Sequence, residues 1–149
     1  MNWYPLLVGL HVALAVSLLA PSLLLPFLLR ADATRPRGGL VRRLMDLQGS
    51  GGIVLGLAVA VSGAALLAIL GAELLGKPWL LAALTLYAAN LVVAFALARP
   101  NLRRLLGIDP AGEQARWQRL ARRQRYLAYA MGGVVGAIGL LMSTKPELW

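Results

Sequence analysis

The sequence predicts an all-α integral membrane protein, a four-transmembrane-helix bundle in which residues 1–149 form a single domain. The first observation is a set of four apolar runs, at about residues 3–29, 52–72, 78–98 and 126–143. Each run is near or above the ~20 residues that an α-helix needs to cross the hydrocarbon core. The second observation is composition: 59% of the residues are hydrophobic and 14% are charged. Soluble domains have roughly 45–50% apolar and 25% charged residues, so this chain requires a lipid environment.

The net charge is confined to two of the gaps between the apolar runs. Residues 30–50 hold five arginines against two aspartates, a net charge of +3, and residues 99–125 hold eight arginines against two carboxylates, a net charge of +6. Basic residues in short loops stay in the cytoplasm, so we predict that both termini are extracytoplasmic. The aromatic residues expected at the outer interface agree with this orientation: Trp3, Tyr4, Trp79 and Trp149.

The formal charge of +9 would indicate a nucleic-acid partner in a soluble chain. Here the basic residues flank membrane spans, which favours anionic lipid headgroups and no nucleic acid. The alternative is docking to an acidic protein partner. The arginines predicted to contact lipid or a partner are Arg99, Arg103, Arg104, Arg116, Arg119 and Arg123.

Small residues predict where helices approach each other. Gly52 and Gly56 begin a row of small residues with i+4 spacing in the second span, and Gly132 and Gly136 have the same spacing in the fourth. Membrane helices associate through such residues because lipid provides little hydrophobic drive. The spacing fits packing within the bundle, and for the fourth span it also fits a homodimer.

Prolines predict local features of two helices. Pro21 and Pro26 each remove a backbone donor, so we expect the second half of the first helix to kink or end there. Asp109 and Pro110 have the residue types of a helix N-cap and first turn, and predict a helix that runs into the fourth span.

Four polar side chains are predicted to lie in the outer half of the membrane, about 12–16 Å below the outer interface by the α-helical rise. They are His11, Ser62, Tyr87 and Asn90. Mutual hydrogen bonding is one interpretation, because polar groups in hydrocarbon need partners. The other is a ligand site in which His11 binds haem iron or copper. A haem with two histidine ligands would need its second histidine from another chain, since His11 is the only one.

The sequence indicates no catalytic set. No carboxylate lies within a span, which disfavours a proton- or ion-coupled transporter, and no cysteine is present. The nucleotide-binding and hydrolase motifs with recognisable spacing are also missing from the sequence. We therefore expect a non-enzymatic accessory or scaffold subunit of a larger membrane complex. The alternative is a haem- or copper-binding membrane protein that uses His11.

Short motifs in all four spans carry a family resemblance. Leu141-Met142-Ser143-Thr144-Lys145-Pro146 resembles the Leu-Met-x-x-Lys-Pro ending of a family of small bacterial integral membrane proteins of unknown function. That family is related to the membrane domain of copper-resistance D (CopD) proteins. Further matching segments are Leu10-His11-Val12, Ser62-Gly63, Lys77-Pro78-Trp79-Leu80 and Arg99-Pro100 with Arg103-Arg104-Leu105. The resemblance implies a four-helix fold in the bacterial inner membrane, with metal or haem handling on the extracytoplasmic side.

Overall fold

The computed structural model describes residues 3–31, 39–109 and 111–144 of the chain. All regular secondary structure in these ranges is helical. Four of the helical stretches are long and apolar enough to cross a membrane, namely Tyr4–Leu28, Arg42–Leu70, Pro78–Gly107 and Gln114–Thr144. The prediction of an all-α protein with four candidate spans is confirmed. The predicted interfacial Trp149 and the Lys145-Pro146 motif lie outside the described residues.

The described residues form six α-helices, two π segments and one 3-10 turn. The first half contains α1 (Tyr4–Ala31), α2 (Gly39–Asp46), a first π segment (Leu47–Gly51) and α3 (Gly52–Leu70). A 3-10 turn (Ala72–Gly76) leads into the second half, which contains α4 (Pro78–Val93), a second π segment (Ala94–Ala98), α5 (Arg99–Gly107) and α6 (Gln114–Thr144).

Three helical stretches extend well beyond the predicted apolar runs. Helix α3 is continued backwards through α2 to Gly39, α4 is continued through α5 to Gly107, and α6 begins at Gln114. The apolar runs end where arginines begin, but arginine, leucine and glutamine are all good helix formers. Hydropathy therefore located the apolar part of each helix and did not include its polar extension.

The helix end expected at Pro21 or Pro26 and the N-cap expected at Asp109 are both wrong, whereas the kink expected as the alternative at the two prolines stays a prediction. Helix α1 does not end at Pro21 or Pro26; both lie inside it, and it continues to Ala31. Asp109 does not cap a helix, because its Oδ1 accepts a hydrogen bond from the N–H of Ala111 at 3.2 Å and α6 begins only at Gln114. Such an aspartate turn satisfies the local backbone without starting a helix. Pro110 lies outside the described residues.

Helix α1 packs closely against α3 and α6, and α6 also packs against α4. Gly71 ends α3 with φ 99°, and its N–H donates to the carbonyl of Leu67 at 2.9 Å. Residues other than glycine rarely adopt this left-handed backbone conformation, so Gly71 allows the short turn into α4.

A compact hydrophobic cluster lies at the end of the bundle where the arginines are concentrated, which we call the basic end. The cluster, named here the basic-end core, consists of Leu25, Met45, Leu102, Leu105, Ile108, Trp117 and Ala121. These residues come from α1, α2, α5, α6 and the turn after α5. The basic end is therefore a packed structure in which the helical extensions meet.

Candidate functional site

His11 and Ser62 form a polar pair that joins α1 to α3. His11 Nδ1 lies 2.8 Å from Ser62 Oγ, and Ser62 Oγ lies 3.0 Å from the carbonyl oxygen of Val59. Ser62 is buried, whereas the histidine is only partly buried. Two of the four side chains predicted to share a membrane layer are thus in direct contact.

Counting protons indicates which histidine tautomer this geometry favours. The Ser62 hydroxyl has one proton, which can go either to His11 Nδ1 or to the Val59 carbonyl. If it goes to Val59, the Nδ1–H of His11 donates to Ser62 Oγ and both short contacts are hydrogen bonds. The other assignment forms only one of the two bonds. The favoured tautomer leaves His11 Nε2 unprotonated.

Gly63 provides the space that the histidine ring occupies. A Cβ atom added at Gly63 would lie 3.3 Å from His11 Cε1 and 3.9 Å from Nδ1. The Ser62-Gly63 pair therefore has two functions, since the serine binds the ring and the glycine makes room for it. The sequence analysis did not predict this role of Gly63. The Ser62-Gly63 pair, a small residue next to a polar one within a span, was the feature of the sequence that could have indicated it.

The Tyr87 hydroxyl reaches a different level of α3 from the one that His11 contacts. The Tyr87 hydroxyl donates to the carbonyl oxygen of Gly56 and so connects α4 to α3. Gly56 is six residues from Ser62, about 9 Å along the helix axis. Asn90 is buried one turn after Tyr87, and its Oδ1 has no hydrogen-bond partner in the described structure. Within that part of the chain, neither residue is hydrogen-bonded to His11 or Ser62.

The four predicted packing glycines divide into two kinds. Gly56 and Gly132 are buried at helix contacts: a Cβ at Gly56 would lie 3.5 Å from the Tyr87 hydroxyl, and one at Gly132 would lie 3.7 Å from Ser22 Cβ of α1. The other two do not touch another helix. Gly52 approaches only the carbonyl of Leu47 on its own helical stretch, and Gly136 faces open space.

Three glycines of α6 form an exposed surface, which we call the α6 glycine surface. It consists of Gly133, Gly136 and Gly139, all exposed, with no atom of the described chain within 4 Å of a Cβ placed at any of them. Within the chain, the closest packing of α6 thus uses Gly132 and leaves these three glycines facing outwards.

The predicted arginines are mostly solvent-facing. Arg116 forms a salt bridge with Glu113 at 3.0 Å on the exposed surface. Arg99 is half-buried, and its guanidinium lies 5.9 Å from the centre of the Phe95 ring. The remaining predicted contact residues are exposed and occupy α5 and the first turns of α6: Arg103, Arg104, Arg119 and Arg123.

A buried amide pair at the basic end was missed by sequence reasoning. Asn101 Nδ2 donates to the carbonyl of Leu120 at 3.1 Å and to Gln124 Oε1 at 2.9 Å. Asn101 is 2% exposed and Gln124 is fully buried. Both have arginines close by in the sequence, and no pattern in the sequence singled out either residue as buried. The pair joins α5 to α6 at Leu120, whose side chain packs against the basic-end core.

The described residues contain no group of three or more histidine, cysteine or carboxylate side chains that could hold a metal ion. Any metal bound at His11 would therefore need ligands from outside this set. Comparison with known proteins adds no assignment, since no family model, curated protein or solved structure matches the chain.

Proposed function

We propose that this protein is a non-enzymatic accessory subunit of a larger assembly in the bacterial inner membrane, with both termini outside the cytoplasm. The observation that carries the proposal is the α6 glycine surface. Membrane helices pack closely where small residues let their backbones approach. Gly133, Gly136 and Gly139 offer that surface, and no helix of the described chain occupies it.

The charge distribution supports the orientation in this proposal. The net charge of +9 is confined to the two gaps at the basic end, and such an excess marks the cytoplasmic side of bacterial membrane proteins. The resemblance to the CopD-related family of small bacterial membrane proteins supports the location.

Cysteine crosslinking tests the helix partner directly, because the chain has no cysteine of its own. We expect Gly136→Cys to crosslink in native membranes. The control is Ala88→Cys on the exposed face of α4, which should not crosslink. A product of twice the chain mass would identify a second copy, and any other mass would identify a different subunit.

The complementary variant adds bulk to the same surface. Gly136→Leu should release the partner during purification in mild detergent, whereas Ala88→Leu should leave the association intact. A wild-type protein that purifies as a stable monomer, together with a Gly136→Cys variant that does not crosslink in native membranes, would contradict the proposal.

A second candidate function is binding of haem or copper through His11. It is favoured by the Ser62 contact, because the tautomer that this contact favours has its proton on Nδ1 and a lone pair on Nε2, the form in which imidazole binds metals. The resemblance to CopD-related proteins points in the same direction. Bis-histidine haem ligation would require the second histidine from a neighbouring chain, which links this candidate to the assembly proposed above.

An absorption spectrum and metal analysis of the natively purified protein test this candidate. We expect a haem Soret band or bound copper that His11→Ala removes and Ser62→Ala weakens. Absence of both chromophore and copper from wild-type protein purified in its native membrane would eliminate the candidate and leave the subunit proposal unaffected.

A further inference from the structure

A small cleft opens at the basic end between the first π segment and α5. Its volume is about 40 Å³. The polar residues at its edge are Asp46, Ser50, Arg99 and Arg103, and Met45 and Leu102 contribute apolar surface. Because a water molecule needs about 10–15 Å³ on this measure, the cleft admits only a group of a few heavy atoms.

One wall of the cleft is part of a π segment, and the other begins directly after a π segment. The first π segment supplies Gly49 and Ser50, and the second ends at Ala98, immediately before Arg99. An extra residue per turn interrupts regular side-chain spacing, and such insertions are frequent at functional sites. The cleft therefore lies between the first π segment and the helical turn that follows the second.

The cleft has an unbalanced positive charge. Arg99 and Arg103 are one turn apart on α5, so their side chains are neighbours on the helix surface. Asp46 is the one carboxylate at the cleft edge. None of these three side chains has an ion-pair partner within 4.0 Å in the described structure, so two positive charges oppose one negative charge. A ligand with one negative charge would balance the site.

The position of the cleft along the helices corresponds to the lipid headgroups. Ser50 is about 30 Å from the end of α3 at Leu70, and Arg99 is about 30 Å from the start of α4 at Pro78, by the helical rise. The hydrocarbon core has about this thickness. Both walls of the cleft therefore reach the same membrane–water boundary, where phosphate groups lie.

We propose that this cleft binds the phosphate of an anionic glycerophospholipid. Arg99 and Arg103 donate to the phosphate oxygens, because guanidinium groups match phosphate geometry with paired N–H donors. The Ser50 hydroxyl is a third donor. Basic pockets between membrane helices are a recurrent form of lipid headgroup recognition.

The charge balance of the cleft, two arginines against Asp46, determines which headgroup is preferred. A carboxylate next to the phosphate accepts hydrogen bonds from headgroup hydroxyls, which a phosphatidylglycerol supplies while keeping its single negative charge. A phosphatidylethanolamine also has a donor for Asp46, but it is electrically neutral and leaves the excess positive charge unbalanced. The cleft holds only the phosphate, so the acyl chains lie outside it along the lipid-facing helices.

Native mass spectrometry of the delipidated full-length protein in detergent tests the proposal. Phosphatidylglycerol and phosphatidylethanolamine with identical acyl chains are added in turn. We expect wild type to bind phosphatidylglycerol roughly tenfold more tightly, in keeping with the contribution of basic side chains at membrane surfaces. Arg99→Gln with Arg103→Gln should remove this preference, and the matched pair Arg119→Gln with Arg123→Gln on α6 should retain it.

Arg103→Gln alone provides a second test if the double variant does not fold, because Arg103 is exposed. It should weaken phosphatidylglycerol binding several-fold. Equal binding of both lipids to wild type, unchanged binding to the variants of the cleft, or an equal loss in the α6 control pair would overturn the proposal. Displacement of the lipid by millimolar inorganic phosphate would show that the site takes free phosphate and not a lipid.

Discussion

The basic end and the level of His11 are held together in different ways. At the basic end, helices α1, α2, α5 and α6 bury a continuous apolar core around Leu102. At the His11 level, α1 and α3 are joined by one side-chain hydrogen bond, and the histidine stays partly exposed. Both regions contain mainly the same apolar residue types, so composition does not explain the contrast.

The difference follows from what surrounds each region. Within the hydrocarbon core, an exposed leucine already has an apolar environment, so burying it between helices brings little hydrophobic gain. Where the helices leave the hydrocarbon, burial removes apolar surface from water and is favourable. Leu57 is accordingly 66% exposed on α3, whereas Leu102 is 1% exposed in the basic-end core.

The largest loss of stability is expected from a substitution in the basic-end core. Leu102→Ala should destabilise the protein by about 2–5 kcal/mol, because it leaves a cavity in a filled core. The matched substitution Leu57→Ala removes the same atoms from a lipid-facing position and should change stability far less. Unfolding in mixed detergent micelles measures both, and equal losses would show that the two regions do not differ as described.

The buried amide pair provides the next largest effect. Asn101→Ala removes both hydrogen bonds that the side chain donates and leaves the amide of Gln124 buried without its partner. We expect a loss of about 1–3 kcal/mol. The same unfolding measurement on Gln124→Ala and on the double variant gives the coupling between the two residues. Additive losses would contradict a direct interaction at 2.9 Å.

At the His11 level, Gly63→Ala tests the space beneath the imidazole ring. The new methyl group would lie 3.3 Å from His11 Cε1, so a small shift of the ring accommodates it. We expect a loss of about 1 kcal/mol, at the lower end of overpacking effects. Gly133→Ala is the control, since no atom lies within 4 Å of its added Cβ, and it should not destabilise the isolated chain.

The smallest effect concerns the hydrogen bond itself. Ser62→Ala removes the link between α1 and α3 and should cost about 0.6 kcal/mol, the average for hydrogen bonds between membrane helices. Ser17→Ala is the control, because Ser17 bonds only the carbonyl of Ala13 within its own helix. An effect of Ser62→Ala larger than that of Asn101→Ala would reverse the ranking of the two regions.

The sequence predicted part of the candidate site. The helical rise placed His11 and Ser62 at similar depths on adjacent spans, and the structure brings these two side chains into contact. The same calculation placed Tyr87 and Asn90 at that depth, yet Tyr87 reaches Gly56 instead. Depth follows from counting residues along one helix. The rotation of each helix about its own axis, and the choice of the helix that it packs against, follow from packing between helices. A single sequence does not encode that packing locally.

Hydropathy and charge, read along the chain, determined the number of spans, their approximate limits and the location of the basic end. These are properties of consecutive residues and of their transfer between water and lipid. Only the tertiary structure decided that Gly132 packs against α1 while Gly136 faces outwards. It also decided that Asn101 and Gln124 are buried although the segments that contain them are rich in arginine. Those outcomes depend on which helix faces meet, because residues far apart in the sequence must supply each other's contacts.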